Sequence, residues 1–249
     1  MMSGTARTTD LNCDLGEGAP HDAELMPLIS SANVCCGVHA GSFDLMAETV
    51  ALAIRHGVAI GAHPGHPDPA HFGRRELAIE PAACAALVAA QVAVVAAVAG
   101  PALRHVKLHG GLYHQVGRDP ALANAVATML VERWPRLVVY AMAGTALVAA
   151  ARARGLVVAE EAFIDRGYAA DGALVPRAAV GGVVDDPAAV AARAVRLVTA
   201  GTVQTVDGRE ITVRADTLCI HGDAPAAVAI ARATRTALHD QGIAIRPPA

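Results

Sequence analysis

The sequence predicts an α/β fold, an irregular closed (β/α)7 barrel of TIM-like type, and three observations carry that expectation. Short apolar runs alternate with Ala-rich helical stretches from one end of the chain to the other. The runs read as continuously apolar, as strands covered on both faces do. A polar cluster follows nearly every run, where parallel α/β folds place their sites. About seven such units without a break favour closure, and an open doubly wound sheet is the alternative. The 249 residues suffice for one domain spanning 1–249.

The runs expected as strands are Asp10–Cys13, Ala32–Cys36, Val58–Ala62, His105–Leu108, Leu137–Ala141, Leu156–Ala159 and Thr217–Ile220. Between them the expected helices are Asp44–His56, Pro81–Val98, Pro120–Trp134, Thr145–Arg154, Pro187–Thr199 and Pro225–Gln241. Asp119-Pro120 and Asp186-Pro187 each set an N-cap carboxylate before a first-turn proline. His56-Gly57 and Arg154-Gly155 each supply a basic last turn and a glycine stop.

Composition narrows the function classes. Net charge is −3, with no basic run or arginine stripe, which argues against nucleic acid or an anionic membrane as partner. The opening MMSGTARTTD has no apolar core of a signal peptide. Ala82–Gly100 approaches membrane-spanning length, but Gln91, the Pro81 start and the Gly100 stop fit a barrel helix better. Five cysteines without Cys-x-x-Cys spacing read as reduced core residues of a cytoplasmic protein.

The polar clusters supply the candidate chemistry. They are Asp14–Gly18, Gly37–Gly41, His63–Asp68, Lys107–Tyr113, Glu160–Tyr168 and His221–Asp223. Lys107 is the only lysine, and drift toward arginine spares a position that needs a compact, titratable ammonium. It is expected to share a strand face with His109 and to act as acid, base or electrostatic clamp. Asp14, His39 and His63, at three consecutive strand ends, offer a carboxylate and two imidazoles to a divalent metal. A metal-free acid–base network is the other reading of the same three. Glu17 is either a general base or an N-cap carboxylate. Asp165-Arg166, beside Glu161 and Tyr168, suggests a substrate clamp rather than a surface pair. His21, His71, His105 and His114 read as ordinary residues. Walker A, Gly-x-Ser-x-Gly and dinucleotide fingerprints are all absent.

In this order, the blocks DLNCDLGEG (Asp10–Gly18), SSANVCCGVHAG (Ser30–Gly41), GVAIGAHPGHPD (Gly57–Asp68), FGRR (Phe72–Arg75), HVKLHGGLY (His105–Tyr113), EEAFIDRGYAADGALVPR (Glu160–Arg177) and CIHGD (Cys219–Asp223) resemble the LamB/YcsF family of 5-oxoprolinase A-subunits. The resemblance spans almost the whole chain. It implies a seven-stranded β/α barrel similar to that of polysaccharide deacetylases. It further implies ATP-dependent opening of 5-oxo-L-proline to L-glutamate together with subunits B and C. On that reading Asp14 or Glu17 is the base, Lys107 and His109 steady an oxyanion, and Arg166 holds the substrate carboxylate. His39, His63, Tyr113, Glu161, His221 and Asp223 complete the substrate-binding set. The chain departs from the family at Leu108, usually Pro, and at Ser42, usually Asp; Ser42 remains able to cap a helix. Replacing Lys107 by Met is expected to nearly abolish turnover while leaving folding intact. The alternatives are a stand-alone metal-dependent amidohydrolase or deacetylase and a non-catalytic lactam-binding subunit.

Overall fold

A computed structural model describes residues 7–248. Most of the N-terminal segment searched for a signal peptide lies outside the described residues. Strands β1 (Thr8–Leu15), β2 (Ser31–Cys35), β3 (Ala59–His63), β4 (Leu103–Lys107), β5 (Val138–Met142) and β6 (Val158–Phe163) pair in parallel in sequence order. A short hairpin, β7 (Thr202–Gln204) with β8 (Glu210–Thr212), precedes β9 (Thr217–His221). Strand β9 pairs with both β6 and β1, and so closes a seven-stranded barrel. The two-residue β10 (Ala244–Ile245) extends the start of β1.

Around the barrel run α1 (Asp22–Leu25), α2 (Phe43–His56), α3 (Pro81–Ala99), α4 (Gly110–Arg118), α5 (Pro120–Arg133), α6 (Ala146–Ala153), α7 (Pro187–Ala200) and α8 (Ala227–Asp240). The capping residues act as their chemistry requires. Asp119 accepts from the amides of Ala121 and Leu122, and Asp186 from that of Ala189. Ser42 caps α2 through the Leu45 amide. By length and hydropathy Pro81–Ala102 would cross a membrane. In the fold it packs against α5 and β3, and the Gln91 side-chain amide grips Gly65 through the glycine's N–H (3.0 Å) and C=O (2.8 Å). The one amide side chain of α3 thus braces a loop at the barrel mouth. All five cysteines are buried thiols.

One expectation needs correction. The strands are buried on both faces, but they are not uniformly apolar. Leu11, Cys13 and Leu15 belong to the hydrophobic core, whereas Asp10, Asn12 and Asp14 on the opposite face join a hydrogen-bonded polar network. Strand β2 repeats the pattern with Ala32 and Val34 against Ser31 and Asn33. Period-two alternation puts one set outside under the helices and the other inside the barrel. Apart from His105 Nδ1, which has no partner among the described residues, the interior layer satisfies its polar atoms internally. Asp10 accepts from Ser30 (2.6 Å), Ser31 (2.7 Å) and Thr217 (2.6 Å). Asn33 donates to Asn12 (2.7 Å) and Asp14 (2.8 Å), and Asn12 donates to Glu161 (3.0 Å). His105 lies flat across this layer, its ring stacked on Tyr140 at 4.1 Å. Only glycine fits opposite, since a Cβ on Gly61 would sit 2.1 Å from the imidazole.

Candidate functional site at the C-terminal mouth of the barrel

The strand ends open into a cavity of about 560 Å³ lined by Asp14, Glu17, His63, Lys107, His109 and, across from them, Tyr113, Arg166 and His221. Eight of the eleven side chains singled out in the sequence therefore share one wall-to-wall site.

Lys107 is its buried hub. The last residue of β4, it donates to Asp14 Oδ1 (2.8 Å) and Asn12 Oδ1 (3.2 Å), with Glu161 Oε1 at 2.9 Å and Cys219 Sγ at 3.1 Å. Burial alone would strip its proton, but the charges of Asp14 and Glu161 outweigh it and hold the ammonium well above its usual range. Burial likewise pushes the Asp14 carboxyl up, and His63 and Lys107 overcome that to keep it well below the carboxylate norm. His109 does not share the strand face with Lys107. It occupies the N-cap position of α4, without a side-chain cap bond, and that helix is absent from the expected set.

Hydrogen bonds to carbonyls fix one proton on each of two histidines. His63 Nδ1 lies 2.8 Å from the Lys107 carbonyl and His109 Nε2 lies 2.8 Å from the Phe72 carbonyl, so both nitrogens donate. Nδ1 of His109 lies 3.0 Å from His63 Nε2 and 3.3 Å from Glu17 Oε1, and His63 Nε2 also faces Asp14 Oδ2 at 3.3 Å. The Asp14 carboxylate favours His63 as the charged imidazole, and His109, against His63 and His39, as the neutral one. The pKa directions agree. Burial lowers that of His63, but Asp14 raises it further; burial and then the charge of His63 drive that of His109 well down. Phe72 is held at φ +55°, the one non-glycine residue with positive φ among the described residues. That strained turn aims its carbonyl at His109.

The same arrangement fits a divalent metal. With their outer nitrogens committed to carbonyls, His63 Nε2 and His109 Nδ1 converge with the carboxylates of Asp14 and Glu17, all within 4.8 Å of one another. This quartet replaces the expected trio of Asp14, His39 and His63. His39 is fully buried behind it, stacked on His109 at 3.8 Å with Nε2 3.2 Å from Glu17, and does not line the cavity. Gly65 makes room for it, since a Cβ there would lie 2.7 Å from His39 Nδ1. Glu17 turns into the site and caps no helix.

Two other residues sit differently from expectation. Glu161, expected among the substrate contacts, is fully buried beneath the cavity, taking Tyr113 Oη (2.8 Å), Lys107 and Asn12. Asp223, also expected to meet substrate, ties Arg74 and Arg177 together at the rim. Arg74 and Arg177 line the cavity and are missed from sequence alone, although both fall in the family-like blocks. Asp165 and Arg166 part company. Asp165 holds His221 through Nδ1 (2.8 Å) and its amide (3.0 Å). Arg166 enters the cavity wall with two nitrogens on the carbonyls of Gly182 (2.9 Å) and Val175 (2.7 Å). Tyr168 braces the Phe163 amide from beneath (2.7 Å).

Fold and site together define a class: parallel β/α barrels whose C-terminal mouth carries a buried acid–base cluster able to hold a metal. Within it the chain belongs to the LamB/YcsF family, whose model matches residues 9–249. It is 48% identical over 245 residues to a Heliobacterium modesticaldum protein named as a 5-oxoprolinase A-subunit, covering 95% of this chain and 96% of that one. The crystal structure of a lactam utilization protein from Thermus thermophilus superposes with a TM-score of 0.89 at 44% identity, covering 96% of this chain and 99% of that one. A family 4 carbohydrate esterase from Streptomyces lividans shares the fold alone, with a TM-score of 0.55 at 9% identity over 97% of this chain and 93% of that one.

Proposed function

We propose that this chain is the lactam-opening subunit of a cytoplasmic, ATP-dependent 5-oxoprolinase that works with subunits B and C and converts 5-oxo-L-proline to L-glutamate. The relatives' name supports the substrate class. The observation that carries the chemistry is the Lys107–Asp14 pair at the floor of a cavity with Arg166 in its wall. Opening the ring leaves the amine tethered to its carboxyl group, so reclosure has a high effective molarity, and coupling to ATP drives the reaction forward.

Arg166 holds the substrate carboxylate. Asp14 or Glu17 takes a proton from the water that attacks the lactam carbonyl. Lys107 has its donors committed to neighbours, so its part is to keep Asp14 ionised and aimed. His221, oriented by Asp165, gives a proton to the departing ring nitrogen. A divalent cation bound by Asp14, Glu17, His63 and His109 would supply Lewis-acid polarisation and a more acidic water. That donor set also supports a second reading, a metal-dependent amidohydrolase acting alone.

Calorimetric titration of the chain with 5-oxo-L-proline separates binding from turnover. Saturable binding that Arg166→Ala weakens by about tenfold or more fits the proposal. Binding indifferent to Arg166 would remove its assigned role.

A further inference from the structure

Four neighbouring strands meet at one level of the barrel. The register aligns Asp14 of β1 with Asn33 of β2, Asn33 with Gly61 of β3, and Gly61 with His105 of β4. Gly61 has no side chain, so the His105 imidazole lies over it, in space that a Cβ would close to 2.1 Å from Nε2. His105 thereby reaches past β3 to β2, where its Nε2 is 2.8 Å from Asn33 Oδ1.

The direction of each hydrogen bond follows from the acceptors. The Asp14 carboxylate only accepts, so the Asn33 group 2.8 Å from its Oδ1 is the amide nitrogen. The second hydrogen on that nitrogen goes to Asn12 Oδ1 at 2.7 Å. Asn33 Oδ1 is left to accept, and His105 Nε2 donates to it. Asn12 is oriented in the same way, because its own amide nitrogen serves Glu161 (3.0 Å) and Thr217 (2.7 Å). Lys107 Nζ donates to the same two oxygens as Asn33, Asp14 Oδ1 (2.8 Å) and Asn12 Oδ1 (3.2 Å). Two donors and two acceptors close a ring, and all four residues are buried. Asp14 Oδ1 is thus filled twice over, while Oδ2 faces His63 Nε2 at 3.3 Å.

We propose that Asn33 is a positioning residue for Asp14, and that His105 in turn positions Asn33. The terminal torsion of an aspartate is broad, so one donor on Oδ1 leaves the carboxylate free to swing. A second donor on the same oxygen sets its direction. Held by Lys107 and Asn33 together, Asp14 keeps Oδ2 as the oxygen open to water or to a cation. The His105 N–H prevents the Asn33 amide from flipping, a turn that would bring its carbonyl oxygen onto the carboxylate. This role rests on the proposed use of Asp14, as base or metal ligand, and is independent of which lactam is opened.

Asn33→Ala and His105→Phe test the two bonds in turn; the phenyl ring keeps the stack on Tyr140 and lacks the N–H. Ser31→Ala is the control for a purely structural loss. Ser31 bonds Asp10 (2.7 Å) and Tyr140 (3.1 Å) in the same interior layer and bonds neither Asn33 nor Asp14. Crystal structures are expected to show the Asp14 carboxylate turned in Asn33→Ala and in place in Ser31→Ala. In equilibrium dialysis, Zn²⁺ affinity should weaken by about tenfold or more in Asn33→Ala, by a smaller factor in His105→Phe, and not in Ser31→Ala. In the complete reaction mixture kcat should fall by about tenfold or more in Asn33→Ala, while the calorimetric Kd for 5-oxo-L-proline stays at its wild-type value. If Asn33→Ala does not fold, His105→Phe answers the same question through the second bond. Asp14 unmoved in Asn33→Ala, Zn²⁺ affinity unchanged there, or equal weakening in Ser31→Ala would each overturn the proposal. A wild-type mixture that forms no glutamate contradicts the lactam reading instead, and the carboxylate's orientation and the dialysis still decide the role of Asn33.

Discussion

Lys107 Nζ lies 2.8 Å from Asp14 Oδ1 and 2.9 Å from Glu161 Oε1, one buried cation between two buried carboxylates. Removing the cation leaves both carboxylates uncompensated. Lys107→Met is therefore expected to cost about 3–5 kcal/mol of stability as well as roughly a thousandfold in turnover. The structure thus revises the expectation that folding would be undisturbed. Adding Glu161→Gln to Lys107→Met should restore part of the stability and none of the turnover. Denaturant unfolding beside kinetics checks both halves.

The quartet of Asp14, Glu17, His63 and His109 is expected to bind Zn²⁺. Equilibrium dialysis with metal analysis should show His63→Ala and His109→Ala weakening it by at least about tenfold, with His39→Asn retaining the stoichiometry. Because His63 must shed a proton to ligate, affinity should weaken as the pH is lowered. Equal loss in the His39 variant would restore the trio expected from the sequence.

Acid should destabilise the protein through His105. Burial, then the charges of Lys107 and His63, push its pKa down to about 3. The unfolded chain takes up this proton below about pH 6.5, whereas the folded chain resists until about pH 3. The unfolded state binds more protons across that window, so stability falls as pH falls from the upper value to the lower. Denaturant midpoints against pH should slope less in His105→Gln than in the wild-type chain.

Gly61→Ala should disrupt the barrel interior. The new methyl would lie 2.1 Å from the His105 ring, which is pinned by Tyr140 on one side and Asn33 at its edge. A cost of about 3 kcal/mol is expected, visible as a lower thermal midpoint. An unchanged midpoint would mean the ring moves freely.

All seven barrel strands are legible as runs between punctuated helices, because the helix caps and glycine stops are local signals. The polar lining is easily overlooked although its signal is local too: Asp10-x-Asn12-x-Asp14 and Ser31-x-Asn33 alternate with period two. The hairpin β7–β8 hides because its strands are only three residues long. At the site, residue types at strand ends point to Asp14, His63, Lys107 and His109. Partner choice is not readable. Asp165 grips His221 across 56 residues, and His39 stacks on His109 behind the cavity wall. Such pairings depend on barrel closure, which no stretch of sequence encodes by itself.

The central claim is ATP-coupled lactam opening, and glutamate release from 5-oxo-L-proline tests it most directly. The assay runs with and without ATP, and with and without subunits B and C already shown to be competent with a different A-subunit. Glutamate formed only in the complete mixture, and lost with Lys107→Met, is the predicted result. No glutamate in the complete mixture, or glutamate formed by this chain alone without ATP, would contradict it.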